Sequence, residues 1–318
     1  MKILTQTRTI LGAVLFLIVD FACGLEPSSF EHDRAVPLEA PAAATAQILA
    51  EGVISTELPE FATSLSPDGR TIYFNRMPAD RSEVRIWSSL LENGIWSEPA
   101  PLAFSGGAYR DVDPYLSPDG GRLYFSSTRP LAGDEPKEYD LWYVARMDDG
   151  WTEPINLGPH INTANREIYS TVSKNGNLYF SVFESDSDEV GIFRSVWQDG
   201  RFLAPERLTI GNGTLRVTNP TVAPDESFLL FVSDHEGQAD ISISRQQDDG
   251  SWGEPTPLGA AVNSEFTEFA PSISPDGSTL FFTSERPGVV PERPDEGRAP
   301  GDIYFVSLEA ALPPAAEQ

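Results

Sequence analysis

Short runs of alternating apolar and polar residues recur along the chain and predict a protein built from β-strands. In the clearest copy the runs lie at Val112–Ser117, Arg122–Ser127, Leu141–Arg146 and Thr152–Leu157. Alternation with a period of two is typical of a half-buried strand, and the Asp-Gly pairs between the runs favour tight hairpin turns. Four strands joined in this way predict one small antiparallel sheet.

The segment SPDGGRLYFSSTRP, at residues 117–130, belongs to a unit that occurs five times. The five copies begin at Ser66, Ser117, Ser173, Ala223 and Ser274, at spacings of 51, 56, 50 and 51 residues. Periods of this length are typical of β-propeller blades, whereas helical repeats are shorter. We therefore predict an all-β fold, a five-bladed β-propeller of four-stranded antiparallel blades.

The two ends of the repeat array indicate how the ring closes. The fifth unit offers only three strand-like runs, the last at Asp302–Leu308, and Ala46–Ala50 precedes the first unit in the place of a fourth strand. An N-terminal strand that completes the last blade would remove two sheet edges at once. We predict a propeller over residues 46–308, followed by a disordered tail at residues 309–318.

The aromatic residues that follow the second turn of each unit are expected to fill space between blades. They come directly after, or one residue after, an Asn-Gly or Asp-Gly pair: Trp96, Trp151, Phe202 and Trp252. Large aromatic side chains bury much apolar area, and a Pro three residues later suits an outer edge strand. We interpret these aromatic residues as packing elements, not as ligand platforms.

Residues 1–24 have the pattern of an export signal. Lys2 and Arg8 precede an apolar run that is too short to span a bilayer. Ala22 and Gly24 suit an ordinary cleavage site, whereas Cys23 stands where a lipoprotein would carry its lipidated cysteine. The sequence leaves both routes open, and the expected location is the periplasm, the outer membrane as a lipoprotein, or the medium.

Residues 25–45 are rich in Pro and Ala, which predicts a flexible tether. The formal net charge of the chain is −26, and this charge repels nucleic acid and anionic lipid heads. We therefore expect no nucleic-acid partner, and contact with a membrane only through Cys23. The isolated histidines and the single cysteine give no zinc motif, so we expect no metal and no cofactor.

Two repeated motifs and one further segment resemble a known family. They are SPDG-x-x-LYF-(S/T)-S-x-RP, the later DG-x-W-x-EP-x-x-LG, and INTANRE at Ile161–Glu167. Together they are similar to the Pro-Asp-type repeats of the TolB-like, WD-repeat-like family of bacterial β-propellers, over residues 46–308. The resemblance implies an exported propeller that serves as a binding scaffold. Members often have six or more blades, whereas five are predicted for this chain.

A ring of charged residues is predicted at one end of the channel. A carboxylate stands six residues before four of the five repeat starts, and these residues are Glu60, Asp111, Glu167 and Glu268. Three blades carry an arginine one residue before that position, and these residues are Arg110, Arg166 and Arg216. The longer loops, Pro130–Tyr139 and Pro287–Gly301, share this face. The ring could bind a polar ligand or a basic side chain. Alternatively, its carboxylates accept hydrogen bonds within the blades, with arginine neutralising them.

The predicted function is a monomeric binding or scaffold module for a protein or polar ligand in the cell envelope, without catalysis of its own. No Gly-x-Ser-x-Gly elbow and no phosphate-binding Gly-rich loop is present. The alternative is a glycan-active propeller, either a lectin or a glycoside hydrolase. A hydrolase would use two carboxylates flanking the scissile bond, with Glu60, Asp111, Glu167 and Glu268 as candidates.

Overall fold

The computed structural model describes residues 45–131, 138–235, 238–290 and 300–313, which form a five-bladed β-propeller. This confirms the predicted fold class. The predicted export signal at 1–24 with Cys23, the tether up to residue 44 and the end of the tail at 314–318 lie outside the described residues. Among the residues described, no helix is long and apolar enough to cross a bilayer.

Each blade is an antiparallel sheet whose strands run outward from the channel in chain order, apart from the strand that closes the ring. The first strand, β1 (Gln47–Ile48), belongs to the fifth blade. Blade 1 contains β2 (Glu60–Leu65), β3 (Thr71–Arg76), β4 (Arg85–Glu92), the short β5 (Ile95–Trp96) and β6 (Ala100–Pro101). Blade 2 contains β7 (Asp111–Leu116), β8 (Arg122–Ser127), β9 (Asp140–Met147), the short β10 (Gly150–Trp151) and β11 (Ile155–Asn156).

The remaining blades follow the same plan. Blade 3 contains β12 (Arg166–Val172), β13 (Leu178–Phe183), β14 (Val190–Ser195), the two-stranded ribbon β15 (Trp197–Gln198) and β16 (Arg201–Phe202), and β17 (Glu206–Arg207). Blade 4 contains β18 (Val217–Val222), β19 (Phe228–His235), β20 (Gln238–Arg245) and β21 (Thr256–Pro257). Blade 5 contains β22 (Glu268–Ile273), β23 (Thr279–Ser284) and β24 (Asp302–Ser307), and β1 is its outermost strand.

The ring is closed by pairing between the two ends of the propeller, as predicted. Strand β1 runs antiparallel to β24, with Gln47 opposite Phe305 and Ile48 opposite Tyr304. The chain then continues as a short helix, α1 (Leu308–Ala311), whose Leu308 and Ala311 are buried against the core between blades 4 and 5. Residues 309–311 are therefore ordered, in contrast to the tail predicted from residue 309, because the helix covers apolar surface that the last strand leaves open.

The hydrophobic core consists of clusters between successive blades. Five clusters join blades 1 to 2, 2 to 3, 3 to 4, 4 to 5 and 5 to 1, and their members come from facing sheets. The aromatic residues after the second turn take part, as expected: Trp96 and Trp252 are buried, and Trp151 packs edge-on against Tyr73 of blade 1. Burial between sheets, not within them, thus stabilises the ring.

The five innermost strands share a bulge, where one extra residue shifts the register against the second strand. The bulged residue has a positive φ of 48–60° in every blade: Ala62, Asp113, Tyr169, Asn219 and Ala270. This conformation costs a residue with a Cβ about 1–2 kcal/mol, so packing around the axis must maintain it. The five bulges surround a narrow axial cavity of about 40 Å³.

The tight Ser-Pro-Asp-Gly turns form as predicted, and the departure in blade 4 has a structural explanation. In blade 2, Asp119 accepts hydrogen bonds from the Ser117 hydroxyl and the Gly121 amide. In blade 4, Glu226 takes the glycine position at a φ of 63°. Its carboxylate accepts hydrogen bonds from the neighbouring blade, including one of 2.6 Å from the Tyr179 hydroxyl. Glu226 therefore clamps blade 4 to blade 3.

Candidate functional site

A cavity of about 420 Å³ opens at the channel mouth, on the face where the five innermost strands begin. We call it the mouth cavity. Its walls are apolar and come from several blades: Phe61, Val112, Ile168, Tyr169 and Phe269. Its charged lining comprises Glu60, Arg81, Arg110, Asp113, Arg166 and Glu285, and Tyr139, Thr218 and Thr267 add hydroxyl groups. Concave apolar sites with a few convergent polar groups are the usual form of a ligand pocket.

The four predicted carboxylates lie at the starts of the innermost strands, but all four are fully buried. Each is bonded to residues near its own blade. Glu60 accepts hydrogen bonds from the Thr56 amide and hydroxyl, at 2.9 and 2.6 Å, and from Arg76 at 2.7 Å. Glu268 repeats this arrangement with Ser264 and Arg286. These contacts match the alternative in which the carboxylates accept hydrogen bonds within the blades and arginine neutralises them.

The other two carboxylates follow variations of the same scheme. Glu167 accepts hydrogen bonds from the Thr163 amide and hydroxyl. Asp111 is one methylene shorter, and both of its oxygens contact Arg129, at 2.7 and 2.8 Å. Ser127 and the Gly106 amide complete its shell. Carboxylates that are buried and bonded in this way hold a loop on the innermost strand.

Two of the family-like motifs supply these partners. Arg129 and Arg286 belong to the repeated Arg-Pro pairs, so the motif's arginine is the counter-ion of the strand's carboxylate. In the INTANRE segment, Asn162 bonds the amide and carbonyl of Leu141, while the next residue, Thr163, bonds Glu167. The most recognisable residues of the repeat are therefore structural. The recurrence of Arg-Pro in the sequence could have indicated this.

Burial dominates the electrostatics of Glu60. It raises the pKa of this carboxyl to about 7, against the hydrogen bonds from Thr56 and the charge of Arg76, which lower it. Removing a carboxylate from water favours its neutral form. Hydrogen bonds from Thr56 and Arg76, and not contact with water, therefore hold the Glu60 carboxyl in place.

The three predicted arginines lie on the mouth face, but the structure does not bring all of them together. Arg110 and Arg166 line the mouth cavity. The Arg110 Nε donates to the Tyr139 hydroxyl at 3.3 Å, and the Arg166 guanidinium pairs with Glu138 and lies 4.0 Å from the Phe183 ring centroid. Arg216 instead lines a separate polar basin, which Arg166 also borders.

Asp113 is a site residue that the sequence analysis missed. Its side chain borders both the mouth cavity and the narrow axial cavity below, and the residue is 8% exposed. Its backbone amide donates to Asn75 at 2.7 Å, but no described residue forms a hydrogen bond with its carboxyl. Burial raises the pKa of this carboxyl to about 8. The signal in the sequence is Asp at the bulge, where the other blades carry Ala, Tyr or Asn.

Within residues 45–131, 138–235, 238–290 and 300–313, no group of three or more His, Cys, Asp or Glu side chains is placed to hold a metal ion. Asp113 is the one carboxyl that belongs to the lining of both cavities. The chemistry of the mouth cavity is therefore that of guanidinium groups at the rim, aromatic and aliphatic walls, and a partnerless carboxyl at the floor.

No family model matches the chain, and no curated protein sequence matches it. Solved structures do resemble it. A protein assigned as TolB from Agrobacterium tumefaciens superposes with a TM-score of 0.50 at 18% identity, over 80% of this chain and 78% of that one. TolB from Acinetobacter baumannii gives a TM-score of 0.48 at 14% identity, and the match spans 79% of this chain and 55% of that one.

The catalytic domain of an α-L-arabinofuranosidase from Coprinopsis cinerea also matches, with a TM-score of 0.48 at 11% identity, over 83% of this chain and 97% of that one. At such identities the similarity shows the fold alone. The resemblance to TolB-like propellers is thus supported at the level of the fold. The function must be argued from the site.

Proposed function

We propose that this protein is an exported, monomeric binding module that holds a segment of a partner protein in the mouth cavity. The observation that supports this is the cavity itself, in which strands from five blades converge on apolar walls with Arg110 and Arg166 at the rim. An apolar cavity with few, oriented polar groups suits recognition, whereas fully bonded carboxylates do not suit catalysis. Residues 1–24 and the repeat motifs support export to the cell envelope.

The charges of the cavity indicate what a bound segment would offer. The chain carries a net charge of −26, so the partly buried guanidinium groups of Arg110 and Arg166 at the rim are local exceptions that attract carboxylates or carbonyl oxygens. At the floor, the pKa of the Asp113 carboxyl is about 8, so below that pH the group keeps its proton and can donate a hydrogen bond. A peptide segment supplies acceptors for all of these groups.

The glycan-active alternative depends on Glu60, Asp111, Glu167 and Glu268 reaching a sugar. Their complete burial and their bonds to hydroxyl, amide and arginine groups give it no support. Opening any of them to a ligand would break several hydrogen bonds to a charged group, each worth about 1.5–3 kcal/mol. We therefore retain the binding module as the proposed function.

The test compares arginines that the structure separates. The mature chain serves as bait in a cross-linked extract of the source cells, and captured proteins are quantified by mass spectrometry. The variant Arg110→Ala/Arg166→Ala should reduce capture of the partner about tenfold or more, because truncating central charged groups of an interface costs over about 1 kcal/mol each. Arg216→Ala, outside the mouth cavity, is the matched control.

Unchanged melting temperatures establish that both variants fold. Capture that persists at full strength in the double variant would mean that the partner binds elsewhere on the propeller. Equal loss with Arg216→Ala would show that general surface charge, and not the mouth cavity, attracts the partner.

A further inference from the structure

A second concave site lies at the boundary between blades 2 and 3, away from the channel. It is a groove of about 460 Å³, whose chemically distinctive lining is Arg122, Tyr143, His160, Trp197, Arg201 and Phe202. We call it the blade-boundary groove. None of these side chains belongs to the lining of the mouth cavity, so the groove is independent of the function proposed above.

The groove coincides with a change in the repeat. At the corresponding boundary between blades 3 and 4, Trp252 is buried and packs edge-on against Tyr179, with ring centroids 6.4 Å apart. Between blades 1 and 2, Trp151 packs in the same way against Tyr73 at 6.1 Å. Blade 3 carries Phe202 at this position, a smaller ring that is only partly buried. Of the four blades that carry an aromatic residue at this position, blade 3 is the one with the smaller ring, and the open groove lies at its boundary with blade 2.

Aromatic side chains hold a guanidinium group in this groove. The Arg122 guanidinium lies 5.1 Å from the Tyr143 ring centroid and 5.3 Å from that of Trp197. The hydrogen bond that it donates to the Tyr124 hydroxyl is long, at 3.5 Å. Stacked arginine keeps its planar fork of N–H donors available for a carboxylate or phosphate.

The charge of the groove is opposite to that of the protein. Arg122, Arg201 and His160 line it, and the described residues of its lining include no Asp or Glu. None of these three residues forms an ion pair with a described carboxylate, and the Asp119 carboxylate near Arg122 is already bonded to Ser117 and Gly121. In a chain with a net charge of −26, such a basic surface is complementary to an anionic ligand.

We propose that the blade-boundary groove binds an acidic oligosaccharide, in which uronate carboxylates are bound by Arg122 and Arg201. The rings of Tyr143, Trp197 and Phe202 supply the apolar surface on which the C–H faces of a sugar pack. An aromatic wall combined with guanidinium donors fits a ring that carries a carboxylate. The binding needs no metal and no chemical step.

The experiment uses isothermal titration calorimetry on the mature chain, with hexagalacturonate as the acidic probe and cellohexaose as the neutral one. Hexagalacturonate should bind with a Kd below about 1 mM, at least about tenfold tighter than cellohexaose, and more weakly as salt is added. Arg122→Gln should weaken binding about tenfold or more, because a charge-assisted hydrogen bond is lost.

A second variant tests the geometry and not the charge. Phe202→Trp restores the residue that blades 2 and 4 carry at this position, so it should fold while it fills the groove and weakens binding. Arg146→Gln is the matched control, because Arg146 stacks on Trp151 at 4.3 Å at the filled boundary and should leave binding unchanged.

Four outcomes would overturn the proposal. The first three are equal binding of the two hexasaccharides, binding that neither Arg122→Gln nor Phe202→Trp weakens in a folded variant, and the absence of heat with hexagalacturonate at about 10 mM. Binding of an oligoglutamate peptide as tight as that of hexagalacturonate, with the same dependence on Arg122, would also overturn it. In that case the groove would recognise acidic chains without regard to the sugar.

Discussion

Replacing Arg129 with methionine should lower the free energy of unfolding by about 3–5 kcal/mol. Arg129 is the counter-ion of Asp111, whose side chain is 0% exposed, and the arginine side chain itself is 10% exposed. Two contacts of 2.7 and 2.8 Å join the guanidinium to both carboxylate oxygens. Methionine keeps most of the apolar stem but removes the guanidinium group, which also lies 5.3 Å from the Phe125 ring centroid and 5.6 Å from that of Trp142. The main change is therefore a buried carboxylate without its cation.

The assay is urea unfolding followed by far-ultraviolet circular dichroism and tryptophan fluorescence. A loss of this size should also lower the Tm by about 6–10 °C for a domain of this length. Arg166→Met is the control, since its pair with Glu138 is open to solvent, with the arginine side chain 32% and the glutamate side chain 73% exposed. Exposed pairs contribute about 0–1 kcal/mol, so this variant should unfold almost as the wild type does.

A second variant separates the charge from the packing. Asp111→Asn combined with Arg129→Met removes both charges and should recover part of the lost stability, because no uncompensated carboxylate remains. If Arg129→Met costs no more than Arg166→Met, the conclusion that the carboxylate ring stabilises the blades would be refuted. The acidic ring would then again be a candidate for ligand binding.

Two further predictions follow from the closing strand and from the channel. Deleting residues 46–55 removes β1 and exposes the edge of β24, so the protein should melt at a sharply lower temperature or become insoluble; an unchanged melt would contradict closure by this strand. The stability of Asp113→Asn relative to the wild type should increase from about pH 4 to 8 and keep the full gain above pH 8. The unfolded wild-type carboxyl loses its proton near 3.8, whereas the pKa of the folded one is about 8, so the wild type loses stability across this range and the variant does not. Chemical unfolding at several pH values tests this, and equal pH profiles for the two proteins would exclude a buried, partnerless carboxyl.

Much of the fold could be predicted because it depends on local rules repeated five times. The Asp-Gly turns, the alternating runs and the spacing near 51 residues each report on neighbouring residues of the chain. The last repeat lacks its fourth strand, and one extra strand precedes the first repeat. This count alone predicts that the extra strand closes the ring, without any knowledge of side-chain contacts. The short helix after β24 escaped prediction because its stability comes from the core between blades 4 and 5 and not from its own four residues.

The site was less accessible to sequence reasoning. That acids recur at the strand starts is a property of the repeat, but whether they face the channel or the blade depends on partners such as Arg129, eighteen residues beyond Asp111. The same holds for Arg216, which the repeat aligns with Arg110 and Arg166 but which lines another basin.

By itself, the sequence determined the blade number, the hairpins and the closing strand, because the hydrophobic period and turn chemistry act over a few residues. Only the tertiary structure decided which charged groups are paired and buried inside the protein and which remain accessible to a ligand. Glu60 and Asp111 are buried and hydrogen-bonded, and the bulge of β7 places Asp113 at the channel floor. Phe202 leaves the boundary between blades 2 and 3 open. These outcomes depend on the packing of whole blades against each other, which brings together side chains far apart in the chain.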